Sequence, residues 1–233
     1  MLLLGHSLKH WQGIMVGYSI KKNILSIKEC DEIKNLLQPI KAKRKRAGAR
    51  HLMSNLKIAT LANDLRLIEI AANHLGKDVY PFRATLFDKS IQTNWLVTWH
   101  QDTALPLESA FDSSEWGPWS KKAAITYAHA PTWALSRIVA LRIHLDDSTS
   151  DNGPLKVIPK SHILGVLTDK EVFNYAKTQE SVECLVPKGG VLAMRPLIIH
   201  SSSKAQSDKP RKVLHIEYSD SLELKPGIKL AIA

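Results

Sequence analysis

The chain has 233 residues, 44% of them hydrophobic and 23% charged, with a formal net charge of +10. That length suffices for one globular domain with a sizeable core, and the positive charge favours anionic partners such as nucleic acid, acidic lipid or an anionic metabolite. No apolar run approaches the roughly 20 residues of a membrane span and no signal-peptide pattern follows Met1, so we expect a cytoplasmic protein without membrane contact. Cys30 and Cys184 are too few for a disulfide framework or a thiolate zinc site, which predicts two buried, reduced thiols.

The first third of the chain is predicted to be helical. From about residue 26 to residue 75 the apolar residues recur at helical spacing. Ser26, with Glu29 three residues later, forms a capping-box pattern that predicts a helix start, and Gly76 is placed to end the last helix. We therefore expect residues 1–78 to form a mainly helical N-terminal part.

A strongly basic run interrupts this helical part. Residues 41–50 carry six positive charges and no negative one. The run is compatible with a solvated turn between helices, with recognition of an anionic substrate, or with nucleic-acid binding. Nucleic acid is the least favoured partner, because the run has no interleaved aromatic residues to stack on bases and no DNA-binding motif occurs elsewhere.

From residue 79 the pattern changes to short runs rich in β-branched and aromatic residues, separated by Gly/Pro turns and interrupted by one helical segment at 169–177. Many short strands without alternating helices predict a sandwich or jelly roll, which we place at residues 79–220 of a single domain of residues 1–233. The predicted strands are 82–87, 95–100, 138–145, 155–158, 182–185, 191–195 and 213–218.

A His-Gln-Asp sequence ends the second of these runs. Residues i and i+2 of a strand point to the same face, so His100 and Asp102 can direct an imidazole and a carboxylate at one point, although such a pair is also common as a structural hydrogen bond. His200 closes a later apolar run, where a core histidine is the simpler interpretation of that residue alone. Two histidines and one carboxylate from two strands form a facial triad, which leaves three positions of an octahedral iron(II) open.

Arg211 lies eleven residues after His200 and begins the next predicted run. If His200 ends one strand and Arg211 begins the next, the turn between them brings both into neighbouring places in the barrel. An arginine there can hold a carboxylate through two parallel hydrogen bonds. Without the upstream triad, a surface arginine beside Lys209 and Lys212 would be the simpler interpretation.

These residues, together with the segment Asn152-Gly153-Pro154-Leu155 and the later Ser161-His162, resemble the phytanoyl-CoA dioxygenase family of iron(II)- and 2-oxoglutarate-dependent oxygenases. The resemblance covers roughly residues 82–219. It implies a mainly β fold with flanking helices, in which a double-stranded β-helix (jelly-roll, cupin-like) core carries N-terminal helices. It also implies Fe(II) as the metal, 2-oxoglutarate as co-substrate, and dioxygen and a small-molecule substrate as further partners.

The resemblance extends to individual residues. It implies metal ligands and co-substrate contacts at His100, Asp102, His200, Arg211, Ser202, Gln101, Asn94 and Thr85. The first three are the expected metal ligands, Arg211 is expected to pair with the distal carboxylate of 2-oxoglutarate with help from Ser202, and the last three are expected as lesser co-substrate contacts. Iron(II), Asp102, 2-oxoglutarate and Arg211 together would carry no net charge, so a site loaded in this way can be buried.

Residues 103–135 are rich in tryptophan. Trp116, Trp119 and Trp133, with Phe111 and Tyr127, are compatible with an apolar lid over the substrate or with ordinary loop packing. Both interpretations stay open at the level of the sequence.

The resemblance thus implies a dioxygenase that hydroxylates a C–H bond of a small metabolite and releases succinate and carbon dioxide. The net positive charge favours an anionic metabolite. One alternative is a non-catalytic, cupin-like barrel that binds a small anionic ligand, but three ligands and an arginine at matching spacing argue against it. A second is a cupin-type metalloenzyme without 2-oxoglutarate. Such enzymes use three or four histidines, whereas this chain offers a carboxylate and Arg211.

Overall fold

The structure is a computed structural model that describes residues 15–42, 48–76, 78–90 and 93–233. The α-helices with both ends in these ranges are α1 (Ile27–Ala42), α2 (Leu56–Ala62), α3 (Leu65–Leu75), α4 (Thr132–Leu135) and α5 (Asp169–Thr178). The predicted capping box is confirmed: the Ser26 N–H donates to the Glu29 carboxylate at 2.7 Å, and the Glu29 N–H donates to Ser26 Oγ at 3.2 Å. Gly76, with φ +73°, ends α3 as predicted, because an L side chain is disfavoured in that conformation.

The strands follow the order of the chain and are mostly short. They are β1 (Tyr18–Lys21), β2 (Gly48–Ala49), β3 (Tyr80–Lys89), β4 (Val97–His100), β5 (Ala104–Leu107), β6 (Trp119–Lys122), β7 (Ile125–His129), β8 (Ile138–His144), β9 (Leu155–Val157), β10 (Val182–Cys184), β11 (Val191–Met194), β12 (His200–Ser202), β13 (Arg211–Ser219), β14 (Glu223–Lys225) and β15 (Ile228–Lys229).

Two antiparallel sheets form the jelly roll. The large sheet has the order β1-β11-β8-β13-β3-β2 and the small sheet the order β10-β9-β12-β4. Between β8 and β13 the chain passes repeatedly from one sheet to the other, which is how a double-stranded β-helix is wound. A three-stranded sheet, β5-β7-β6, and the hairpin β14-β15 complete the strands of the described ranges. The predicted fold class, a mainly β jelly roll with flanking helices, is confirmed.

The large sheet has one apolar face and one polar face. On β13, Leu214, Ile216 and Tyr218 pack with residues of α1, α2 and α3 in one hydrophobic cluster. Because side chains alternate along a strand, Arg211 and His215 face the other way, into the barrel. The helices therefore cover the outside of the large sheet and leave its inner face for polar groups.

The seven strands predicted from the β-rich part all occur, with ends shifted by a few residues. Two short strands were missed in the part predicted as helical: β1 and β2 lie at opposite edges of the large sheet. His200 does not end a strand, as the sequence suggested, but begins β12, because the apolar run before it breaks between β11 and β12.

Cys30 and Cys184 are both free and buried, as predicted. Burial raises the pKa of the Cys184 thiol to about 12, so this thiol is unreactive at neutral pH. Across the residues that the structure describes, no helix is both long and apolar enough to cross a membrane.

One buried hydroxyl adds a hydrogen bond to the apolar packing between the large sheet and α2. Tyr218 Oη donates to the Ala62 carbonyl at the end of α2 at 2.9 Å, and the side chain is fully buried. Replacing Tyr218 with phenylalanine should lower the free energy of unfolding by about 1–2 kcal/mol, because it leaves the Ala62 carbonyl without its partner. Urea denaturation checks this. Tyr80→Phe is the control, because Tyr80 is exposed; equal losses in both variants would contradict the role of the buried bond.

Candidate active site

The two candidate histidines lie opposite each other on neighbouring strands of the small sheet. β12 pairs with β4 in antiparallel register, with His200 opposite His100, and the ring centroids are 4.1 Å apart. Cross-strand neighbours in an antiparallel pair are close enough for their side chains to interact. The pairing thus brings together two residues that are distant in sequence.

Both imidazoles are oriented by the same backbone contact. Nδ1 of His100 lies 2.8 Å from the Thr98 carbonyl oxygen, and Nδ1 of His200 lies 2.8 Å from the Ile198 carbonyl oxygen. A carbonyl oxygen can only accept, so each ring donates from Nδ1 and keeps a free lone pair on Nε2. Metal-binding histidines are commonly held in this way by their second ring nitrogen.

The carboxylate of Asp102 lies against both free nitrogens. Asp102 Oδ1 is 3.7 Å from His100 Nε2, and Oδ2 is 3.5 Å from His200 Nε2. The Asp102 N–H donates to the Pro196 carbonyl at 3.0 Å, which fixes the backbone just beyond the end of β4. The position inside the barrel opposes charge on Asp102, but the neighbouring His200 and His100 hold its pKa below the ordinary value.

One ligand atom from each of His100, Asp102 and His200 lies within 4.8 Å of the other two. Ligand atoms that share one metal ion at about 2 Å lie about 3–4 Å apart, so small shifts would complete the coordination. Burial lowers the pKa of His200 to about 4, which keeps its imidazole neutral, as a metal ligand must be. Two imidazoles and one carboxylate fit iron(II) with open coordination positions.

Arg211 begins β13, as predicted, and is buried in the barrel. Its Nη2 donates to Ser202 Oγ at 3.2 Å and its Nε to the Asn152 carbonyl at 3.4 Å, while its buried Nη1 has no hydrogen-bond partner among the described residues. Ser202 Oγ itself donates to the Gly153 carbonyl at 2.9 Å. A buried guanidinium nitrogen without an acceptor is what a carboxylate ligand would satisfy.

Gly153 makes this arrangement possible. Its φ is +69°, and a Cβ there would lie 2.5 Å from the Ser203 carbonyl oxygen and 3.2 Å from Lys89 Nζ. The segment around Asn152 can therefore approach Ser202 and Arg211 closely only with a glycine at this position.

Two further buried cations lie near Arg211, and the sequence did not indicate either. Lys89 on β3 donates to Ser202 Oγ at 2.8 Å and to the Ser203 carbonyl at 2.6 Å. Arg142 on β8 lies over the Phe87 ring at 5.0 Å and contacts His215 Nδ1 at 3.3 Å. Burial, Arg211 and Arg142 together lower the pKa of Lys89 to about 8.

None of these three cations forms an ion pair within the described ranges, so the barrel interior has a marked excess of positive charge. The charge balance expected from the sequence left out Lys89 and Arg142. An unpaired buried charge is costly. The interior is therefore complementary to a ligand with more than one negative charge.

A cavity of about 370 Å³ opens beside the His100–Asp102 pair. Arg83, Thr85, Tyr127 and His215 contribute to its walls. A volume of this size accommodates a small metabolite, since ligand pockets in proteins span about 300–1,000 Å³.

The three residues predicted as lesser co-substrate contacts occupy different positions. Thr85 lines the cavity. Gln101 also reaches the cavity wall, but its amide bonds to the backbone of Gly165, Leu167 and Leu197, which points to a structural role. Asn94 lies outside the strands and exchanges two hydrogen bonds with the backbone of Ala205, so its amide holds a loop.

None of the three tryptophans of the tryptophan-rich segment lines the cavity. Trp116, Trp119, Trp133 and Phe111 pack with one another and with apolar residues of a hydrophobic cluster beside the barrel. Of the five aromatic residues considered for a lid, Tyr127 is the one in the cavity wall. Packing of these rings in a core is favourable because each ring buries a large apolar area.

Half of the basic run at 41–50 lies outside the described residues, since residues 43–47 are not described. Its last residue, Arg50, follows β2 and lines the cavity.

Two imidazoles and a carboxylate that meet at one point in a jelly roll are a donor set typical of mononuclear non-haem iron proteins. The comparison with known families is more specific. The model of the phytanoyl-CoA dioxygenase (PhyH) family matches residues 15–213, and the chain belongs to this family of 2-oxoglutarate-dependent iron oxygenases.

A curated relative is the L-proline trans-4-hydroxylase of Streptomyces griseoviridis, which is 30% identical over 179 residues. The match covers 66% of this chain and 59% of the relative, so the chain spans less than two thirds of the relative's length.

Solved structures share the fold at lower identity. AviO1 from Streptomyces viridochromogenes Tue57 is 19% identical with a TM-score of 0.67, covering 99% of this chain and 100% of AviO1. EctD from S. alaskensis, solved with 2-oxoglutarate and 5-hydroxyectoine, is 20% identical with a TM-score of 0.69, covering 91% of this chain and 75% of EctD. At these identities the likeness establishes the fold alone.

Proposed function

We propose that this chain is an iron(II)- and 2-oxoglutarate-dependent dioxygenase that hydroxylates a C–H bond of a small, anionic metabolite, with its helical part and β-helix core forming one domain. The proposed metal ligands are His100, Asp102 and His200. The observation that carries the proposal is their convergence, with both Nε2 lone pairs free, beside a buried cationic pocket around Arg211.

The donor set suits the proposed metal. Nε2 of each histidine is left free by its Nδ1–carbonyl bond, and Asp102 supplies the single carboxylate. Iron(II) held in this way, with 2-oxoglutarate bound, supplies the oxidation of a C–H bond by dioxygen, with release of succinate and carbon dioxide. The chain's own part is to position both reactants and to exclude water.

The cationic pocket suits a dicarboxylate. Arg211 offers the unsatisfied Nη1 to a carboxylate, and Ser202 and Lys89 stand beside it as further donors. Two negative charges would offset the unpaired buried cations, which a neutral ligand cannot do. This match supports 2-oxoglutarate as the co-substrate, with Arg211 on its distal carboxylate.

The hydroxylase assignment is supported by the relative that acts on L-proline. A space of about 370 Å³ favours a substrate of amino-acid size over one as large as an acyl-coenzyme A.

The test is spectroscopic. Protein purified without oxygen is loaded with iron(II) and 2-oxoglutarate, and we expect the weak visible metal-to-ligand charge-transfer band of the chelated keto acid. Glutarate is the control, because it has both carboxylates but no keto group and should give no band. Bound iron without a band would contradict the 2-oxoglutarate part of the proposal. Failure to bind iron would instead favour a non-catalytic barrel that holds an anionic ligand.

A further inference from the structure

Two basic side chains lie at the walls of the cavity, away from the Arg211 pocket. Arg50 follows β2, and Lys122 ends β6 at the tip of the β6–β7 hairpin. Both line the cavity, and both are exposed. They come from segments that are far apart in sequence, so the fold has to bring them to the same opening.

No acidic group neutralises these two cations. Asp102 is the one acidic residue in the cavity wall, and it belongs to the proposed metal site. Neither Arg50 nor Lys122 forms an ion pair with any described residue, and the undescribed residues 1–14, 43–47, 77, 91 and 92 include no Asp or Glu. The chain itself therefore has no carboxylate that occupies this position.

Arg83, the third arginine or lysine in the wall, is already paired. Its guanidinium contacts the Glu217 carboxylate through Nε and Nη2, and its Nη1 donates to the Ala104 carbonyl at 2.9 Å. Arg83 is thus a structural cation. Its partner Glu217 is buried and cannot reach out to neutralise the cavity opening.

The free cations also act on each other. Partial burial lowers the pKa of Lys122, and the positive charges of Arg50 and Arg83 lower it further. An anion between Arg50 and Lys122 would remove this repulsion and restore an ordinary pKa. The Lys122 ammonium also lies 5.0 Å above the Tyr127 ring, which limits where the side chain can lie.

We propose that Arg50 and Lys122 bind the anionic group of the primary substrate, a carboxylate or a phosphate ester, at the cavity opening. The inference rests on the proposed function and defines its substrate class: a small anion whose charged end lies at the opening and whose reactive carbon lies toward His100 and Asp102. It also gives a role to Arg50, the last residue of the basic run at 41–50.

The shape of the site favours a small anion over nucleic acid. Tyr127, the aromatic ring beneath the Lys122 ammonium, is buried and not available for stacking on a base. Binding of single strands requires such rings in addition to positive charge.

Labelling of lysine by a phosphate-bearing aldehyde tests the proposal without knowledge of the substrate. The Lys122 amine attacks the aldehyde of pyridoxal 5′-phosphate, a C=N bond forms with loss of water, and borohydride reduces it to a stable amine that mass spectrometry locates. Pyridoxal, which lacks the phosphate, is the matched reagent. Lys121 is the matched lysine, because it is exposed on the same strand and does not line the cavity.

We expect the preference for the phosphorylated reagent to be about tenfold greater at Lys122 than at Lys121, since a charge-assisted contact to Arg50 holds the phosphate there. Arg50→Gln should abolish the difference, and Lys121→Gln should leave the preference at Lys122 itself unchanged. Millimolar inorganic phosphate or acetate should protect Lys122, and the better competitor of the two distinguishes a phosphate-bearing from a carboxylate-bearing substrate.

An equal preference at the two lysines, or one that Arg50→Gln does not change, would overturn the proposal. Protection by a single-stranded oligonucleotide but by neither small anion would overturn it in favour of nucleic acid. The labelling requires neither iron nor 2-oxoglutarate, so its failure is distinguishable from a missing charge-transfer band, which would count against the proposed function.

Discussion

Arg211→Ala is expected to raise the apparent dissociation constant for 2-oxoglutarate several hundred-fold. Removing one partner of a buried ion pair costs about 3–5 kcal/mol, and each 1.4 kcal/mol is about tenfold in affinity. In this chain the loss should be of that size, because the Arg211 guanidinium is buried and has a nitrogen with no acceptor of its own. Titration of the charge-transfer band with 2-oxoglutarate measures the constant.

Two variants give this measurement its controls. Lys209→Ala removes a nearby charge that is exposed and paired with Asp151 at 3.2 Å, and it should leave the constant within about threefold because exposed ion pairs contribute little. Arg211→Lys keeps the charge but loses the planar pair of donors, so its constant should lie between those of the wild type and the alanine variant. A change below about threefold in Arg211→Ala would contradict the assignment.

Replacing His100, Asp102 or His200 with alanine is expected to abolish both iron binding and turnover. Each residue supplies one of three converging ligand atoms, and two ligands of this kind do not hold iron(II) against water. Iron content per chain after desalting measures the loss, and circular dichroism checks that the jelly roll remains folded.

His129→Ala is the control for the triad. His129 lines the same cavity, but its Nδ1 is 2.7 Å from Thr103 Oγ1 and it is not part of the ligand cluster. This variant should bind iron normally. Stoichiometric iron in any of the three triad variants would contradict the ligand assignment for that residue.

The sequence predicted the parts of this site that depend on local spacing. His100 and Asp102 share a face because they are two residues apart at a strand end, and Arg211 begins a strand whose apolar residues alternate. Ser26 and Gly76 marked helix boundaries for equally local reasons: a side chain that caps, and a backbone that turns.

The parts that depend on long-range pairing were not predictable in this way. The register that sets His200 opposite His100 joins two short strands, and neither has a pattern that names its partner. Lys89 and Arg142 lie in strands where a charged residue suggests the solvent face, yet both point into the barrel. The role of the tryptophans could not be predicted, because a lid over a substrate and a hydrophobic cluster both use large apolar rings.

The opposition of His100 and His200 has a consequence for folding. A metal ion bound by both His100 and His200 would act as a cross-link between two distant parts of the chain. By the loop-closure estimate, closing a loop of about 100 residues lowers the entropy of the unfolded chain by an amount worth about 4–5 kcal/mol. β4 is an edge strand of only four residues, whereas β13 spans nine residues and is paired on both sides. Removal of the iron by an added chelator should therefore loosen the β4 edge first. The large sheet and the helices packed on it should keep their protection against amide hydrogen exchange.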